Sequence, residues 1–260
     1  TASTITIPIT ATAPSMANAM DKSLYRLLAW LSPAYPIGGF SYSHGVETAV
    51  EEGFIKDRLS LVSWLETVLR DGTGRVDGAL FAAAWRAAAA KDRIAFESIA
   101  ERAAAWRGTS EMALESRQQG GSFLSITRTA WPHPDLVAAG NDLALPVAVA
   151  LATAAHGIAL EAALEGYLHA FTANLISAAV RSVPLGQSDG QRVLAALERA
   201  LEFNTNHIAA RLLLADHLVD AEEYGEAEKL LSEVLAVNVN QPEAWAYRAV
   251  MAHLRNEPAK

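Results

Sequence analysis

No cysteine occurs in the 260 residues of this chain. That absence removes disulfides, thiolate nucleophiles and every zinc or iron–sulfur site built on cysteine. It also suits a reducing compartment, so a cytoplasmic location is expected. Positive charge is scarce: 21 Lys and Arg stand against 29 Asp and Glu, a formal net charge of −8. No cluster of Lys and Arg appears anywhere, which argues against a nucleic-acid partner, because neutralising phosphates needs concentrated positive charge. Charged residues make up only 19% and hydrophobic ones 51%, a balance unlike that of a disordered chain or a coiled coil. Long unbroken apolar runs are missing too. The nearest approach, "LALPVAVALATAAHGIAL" at 143–160, is interrupted by Pro146, His156 and Gly157 and is largely alanine. It reads as a buried helix of a globular core, not as a membrane span. The opening "TASTITIPITATAPSMANAM" lacks the basic and apolar regions of a signal peptide and reads as a flexible leader, 1–20.

What is present is helical periodicity, from Asp21 onward. "DKSLYRLLAWL" sets Leu24, Leu27, Leu28 and Leu31 on one face and stops at Ser32-Pro33. After a loop, Ser43 is the expected N-cap of a short helix that Gly53 closes. Asp57 caps "DRLSLVSWLETVLRDG". "DGTGRVDG" at 71–78 reads as a connection, followed by the alanine-rich "GALFAAAWRAAAAK" and "DRIAFESIAERAAAWRG". Thr109 or Ser110 caps "SEMALESRQQGGSFLSITRTAW", in which Gly120-Gly121 is expected to weaken or bend the helix. "PVAVALATAAHG" and "LEAALEGYLHAFTANLISAAVRS" are the most continuously apolar segments. The fold class is all-α: a compact multi-helix domain over 21–197.

The last quarter has a different signature. "LEFNTNHIAAR" aligns with "LAVNVNQPEAW" at an offset of 34, so that Asn204 and Asn206 match Asn238 and Asn240. This is the period of the tetratricopeptide repeat. Ala215 and Ala249 take its small helix-A position, and Tyr224 and Ala227 begin helix B. Arg211 replaces the Trp245 of the next copy, and Thr205 and Val239 replace the closing proline. The segment 198–260 carries eleven acidic and six basic residues, a balance of −5 that leaves −3 for the rest of the chain.

The chemistry-bearing stretch is "SPAYPIGGFSYSHGVE" at 32–47. Ser41, Ser43, His44 and Glu47 suggest a hydrolase triad, but the Gly-x-Ser-x-Gly elbow is absent, and a triad needs converging geometry that adjacent residues rarely supply. The seven histidines include no pair at i,i+3 or i,i+4 and no H-E-x-x-H, so no metal site is expected. No phosphate-binding Gly-rich motif is present, and no cofactor is implied. What remains is polar residues set in apolar helices. Arg117, Gln118, Gln119 and Ser122 fall in "ESRQQGGSF". Asn174 and Arg181 precede the turn "PLGQSDG". Structural kinks and turns account for such residues as readily as protein–protein contacts do.

Three stretches together resemble the urease accessory UreF family: "LLAWLSPAYPIGGFSYSHGVE" (27–47), "LESRQQGGSFL" (114–124), and "LPVAVALATAAHGI" with "YLHAFTANLISAAVRSVPLGQSDGQRVLAAL" (145–197). The resemblance covers 24–197 and implies an all-helical, non-catalytic assembly factor, usually a dimer. Such a factor bridges UreD (also called UreH) and the GTPase UreG on apo-urease during nickel insertion. It also implies partner-contact roles for Tyr35, Phe40, Tyr42, His44 and Glu47, for Arg117, Gln119 and Ser122, and for Arg181, Gln187 and Asp189. The tetratricopeptide-like 198–260 departs from the family's C-terminal pattern. A second reading is therefore an adaptor whose tail grips peptides, or a fused or engineered chimera without urease-maturation activity, and a third is a small hydrolase using Ser43 and His44.

Overall fold

Alanine and leucine favour helix where no β-branched run competes. In the computed structural model every regular element is a helix among the residues it describes, which are 16–39, 42–106, 108–198, 212, 215–216, 218–219 and 222–255. In chain order these are α1 (Met16–Trp30), α2 (Val46–Glu51), α3 (Arg58–Arg70), α4 (Thr73–Ala89), α5 (Arg93–Ala105) and α6 (Ser110–Ala130). There follow α7 (Pro134–Ala138), α8 (Leu145–Ala155), α9 (Leu160–Ser182), α10 (Gln187–Leu197), α11 (Tyr224–Val237) and α12 (Pro242–Leu254). Helix α1 begins at Met16, inside the expected leader, where Met and Ala, both helix formers, make up four of the five residues of "MANAM". Residues 1–15, Phe40 and the repeat residues 199–211 lie outside the described residues.

Helix α8 is the axis of the body. Pro146 sits in its first turn, and every residue from Pro146 to Thr153 is buried, as expected of a helix apolar all round. It ends in a left-handed Gly157 (φ 69°), with Gly157 N donating to Ala154 O and Ile158 N to Thr153 O. Helices α4, α5, α6, α7 and α9 pack around it, and α3 and α10 close against α9 or each other. The described residues include no helix long and apolar enough to cross a membrane.

Several local expectations give way to tertiary packing. Helix α6 runs unbroken through Gly120-Gly121. The glycines are there because a Cβ on Gly120 would lie 2.0 Å from Leu143 O, and one on Gly121 would lie 2.9 Å from Asn141 O. Helix α4 starts at Thr73, inside the expected connection, and Gly74 lets it approach α3, with Leu69 Cα 2.7 Å from a built Cβ. Ser43 is not the cap of α2; a left-handed Gly45 (φ 81°) takes that place. On α1 the leucine face is divided: Leu27 and Leu31 are partly buried against the core, and the other two are not. Leu24 and Leu28 are 58% and 66% exposed, and Trp30 is the side chain driven inside.

The buried apolar side chains form two clusters. The larger runs from Trp30 to Leu197 and includes Val193 and Leu197 of α10. The smaller joins Leu212, Ala215, Leu218 and Val219 to α11 and α12 through Leu231, Val234, Ala244 and Met251. Arg102 of α5 bridges to the second unit, with a guanidinium nitrogen 2.6 Å from Glu223 Oε2.

Candidate functional site

The chain leaves α1 and turns over the end of α6 because Ser32-Pro33 cannot continue the helix. Tyr35 then plunges inward. Its ring is 9% exposed and packs 5.5 Å from Phe123. The Thr127 hydroxyl donates to Phe123 O (2.6 Å), so Tyr35 is left to donate to Thr127 Oγ1, 2.8 Å away. Burial pushes the Tyr35 phenol above its ordinary range, against the opposing effect of that hydrogen bond. Tyr35, expected as a contact residue, is the internal strut of the loop.

Beyond it the backbone is bent by Gly38 (φ 78°), His44 (φ 48°) and Gly45 (φ 81°). A left-handed histidine costs on the order of 1 kcal/mol and persists only where its surroundings hold it. Here His44 Nε2 lies 3.3 Å from Glu115 Oε1 of α6, and the ring meets Phe171 of α9 edge-on at 5.2 Å. Gln119 donates to the same Glu115 oxygen at 3.0 Å. From the other side, Asn174 Nδ2 donates to Gly39 O (2.8 Å) and Tyr42 O (3.3 Å). The loop is thus pinned between α6 and α9, and a histidine whose nearest carboxylate is Glu115 is not oriented toward Glu47 as a triad would require.

Between loop and helix lies an open groove of about 580 Å³, lined by Pro36, Ile37, Gly38 and Tyr42 on one side and by Gln118, Gln119 and Ser122 on the other. Among the described residues no charged side chain lines it. Such a surface offers apolar contact and neutral hydrogen bonds, which suit a polypeptide segment. The described residues contain no group of three His, Cys, Asp or Glu placed to hold a metal ion.

Tyr42, His44, Gln119 and Ser122 therefore come together. Glu47 is exposed in the first turn of α2, and Arg117 reaches Asp142 at 3.4 Å. Phe40 lies outside the described residues. Arg181, Gln187 and Asp189 form a second patch where α9 turns into α10. Arg181 donates to Ser177 Oγ (3.1 Å), Asp189 pairs with Arg192 (3.0 Å), and Gln187 is exposed. The sequence reading missed Glu115 and Phe171 as site residues and left Gln118 and Asn174 undecided. The legible signal was an asparagine in an otherwise apolar helix, which needs a partner for its amide.

An all-helical body that presents a neutral groove beside a pinned loop offers apolar contact and neutral hydrogen bonds at one surface. The UreF family profile matches residues 55–198, and a tetratricopeptide-repeat profile matches residues 185–252. The urease accessory protein UreF of Granulibacter bethesdensis is 51% identical over 191 residues, covering 72% of this chain and 81% of the relative. Those of Rhodopseudomonas palustris (strain BisB5) and Bradyrhizobium sp. (strain ORS 278) are 48% and 50% identical, covering 76% and 71% of this chain and 84% and 79% of the relatives. The chain belongs to the UreF family of urease accessory proteins.

Proposed function

We propose that this chain is a non-catalytic, cytoplasmic maturation factor. It holds UreD (UreH) and UreG together on apo-urease while nickel is inserted. The observation that carries the reading is the convergence of separate motifs on one surface: the 32–47 loop is fastened to α6 through His44 and Glu115 and to α9 through Asn174. Two motifs that hold a strained loop open to solvent make sense as a surface for another protein. The exposed stripe of Leu24, Tyr25 and Leu28 on α1 (58%, 67% and 66%) supports self-association into a homodimer.

The test is co-expression with UreD, UreG and apo-urease, followed by co-purification and a urease assay. Ser122→Arg and Tyr42→Ala, which leave the core untouched, are expected to lower UreG recovery at least tenfold without changing the melting temperature. Undiminished UreG recovery with both variants would remove the groove from the reading.

A second reading, a peptide-gripping adaptor, draws on the exposed Trp245, Val250 and Leu254 of α12 (48%, 48% and 53%). Deleting residues 199–260 separates the two. The adaptor loses its partner, whereas the scaffold keeps its UreG contact.

A further inference from the structure

Helix α1 leads directly into the loop of the candidate site, yet it is fastened to the body by little. Of its described side chains only Trp30 is fully buried. The indole sits in a nest of rings: edge-on to Phe123 (6.1 Å) and Trp131 (5.8 Å), and tilted 58° against His156 at 5.3 Å. Its own Nε1–H is buried and finds no hydrogen-bond partner among the described residues, so the nest is closed at some cost.

His156 is the titratable wall of that nest. Its Nε2–H donates to Trp131 O at 3.2 Å, which leaves Nδ1 with the lone pair in the neutral ring. A proton added at Nδ1 finds no acceptor among the described residues. The charged groups facing it are positive or potentially so. Arg26 faces it from α1, and His133, its ring 5.3 Å away, faces it from the start of α7. Behind His133 stand Asp135 at 3.5 Å and Lys91, which pairs with that same carboxylate. The C-terminal end of α8 and the Trp131 carbonyl favour a cation. Burial and Arg26 outweigh them and hold His156 below its ordinary value of 6.5.

We propose that His156 is an acid-sensitive latch: protonating it in the Trp30 nest releases α1, and with it the leading edge of the 32–47 loop. The closed state prefers neutral His156, whereas the opened ring takes its proton near 6.5. Closure is therefore complete above that pH and weakens as pH falls toward the depressed value, by up to about tenfold in the open-to-closed ratio per pH unit. The latch does not depend on the urease reading.

Hydrogen exchange of the full chain between pH 7.5 and 5.5, corrected for intrinsic rates, tests it. Protection of residues 22–38 should fall several-fold below pH 6.5 relative to α4. In His156→Gln, which keeps a donor for Trp131 O but cannot charge, it should stay flat. His156→Phe, a ring replacement for the same nest, gives the same expectation should the glutamine variant fold poorly. Arg26→Gln, by removing the repulsion, should bring the closed ring back toward its ordinary value and so shrink the loss of protection. A flat wild-type profile overturns the latch. So does a slope that survives in His156→Gln and His156→Phe, or one that disappears only in His133→Asn.

Discussion

At position 120 a side chain has nowhere to go. The segment 141–144 crosses α6 so closely that a built Cβ meets Leu143 O at 2.0 Å and the Ala144 carbonyl carbon at 2.9 Å. Arg128 holds that crossing in place by donating to the carbonyls of Leu136, Ala139 and Gly140, and Ser116 Oγ accepts from Leu145 N at 3.2 Å. Gly120→Ala should therefore cost about 3 kcal/mol by forcing backbone apart. Gly140→Ala, with nothing within 4 Å of the new atom, should stay within about 0.5 kcal/mol. Thermal denaturation of the two variants checks the contrast; equal losses would mean the crossing is not tight. Tyr35→Phe makes a finer test. Thr127 keeps its bond to Phe123 O, so only the phenol's hydrogen bond is lost, and a loss of about 1 kcal/mol is expected.

Among the elements, what was legible in the sequence was whatever local chemistry decides. Asp57 and Thr109 cap α3 and α6 as expected, because a short polar side chain accepting from the backbone N–H three residues on is a neighbourly interaction. Gly53 (φ 78°) follows α2 for an equally local reason, and α9 spans the segment its periodicity marks out. The unbroken α6 and the exposed leucines of α1 were not legible, since each is decided by an element distant in sequence, and the start of α4 was not because it turns on how closely that helix packs against α3. The site follows the same division. Its loop was marked by its prolines, glycines and aromatics, whereas the fastenings to Glu115 and Asn174 exist only once α6 and α9 flank it. Asn174→Ala should test the fastening at this scale. Losing the amide frees the Gly39 and Tyr42 carbonyls, which should cost about 1–2 kcal/mol and speed amide exchange in 36–45 while leaving α8 protected. Unchanged exchange in the loop would show that His44 alone suffices to hold it.

In the whole molecule the question is where one folding unit stops. The two family matches overlap over 185–198, the segment that contains α10. Packing assigns that helix to the body. Val193 and Leu197 are fully buried in the larger cluster, and Gly190 brings α10 against α9, with Val180 Cγ2 and Ile176 Cγ2 only 3.2 and 3.3 Å from where its Cβ would be. The smaller cluster has its own interior, built from residues 212–251. The described ion pairs between the units run from Arg102, whose side chain is 16% exposed, to Glu223 and Glu226, which are about half exposed. Partly solvated pairs of this kind contribute about 1 kcal/mol at most, far less than either core. The full chain should therefore unfold in two transitions. Deletion after Glu198 should abolish one of them and leave the other within a few degrees of its original midpoint, whereas deletion after Gly186 should unfold the body as well, by stripping Val193 and Leu197 from its core. Calorimetry of the three chains decides between this and a single cooperative unit: one transition in the full chain, together with collapse of the chain ending at Glu198, would mean that the repeat is a structural part of the body.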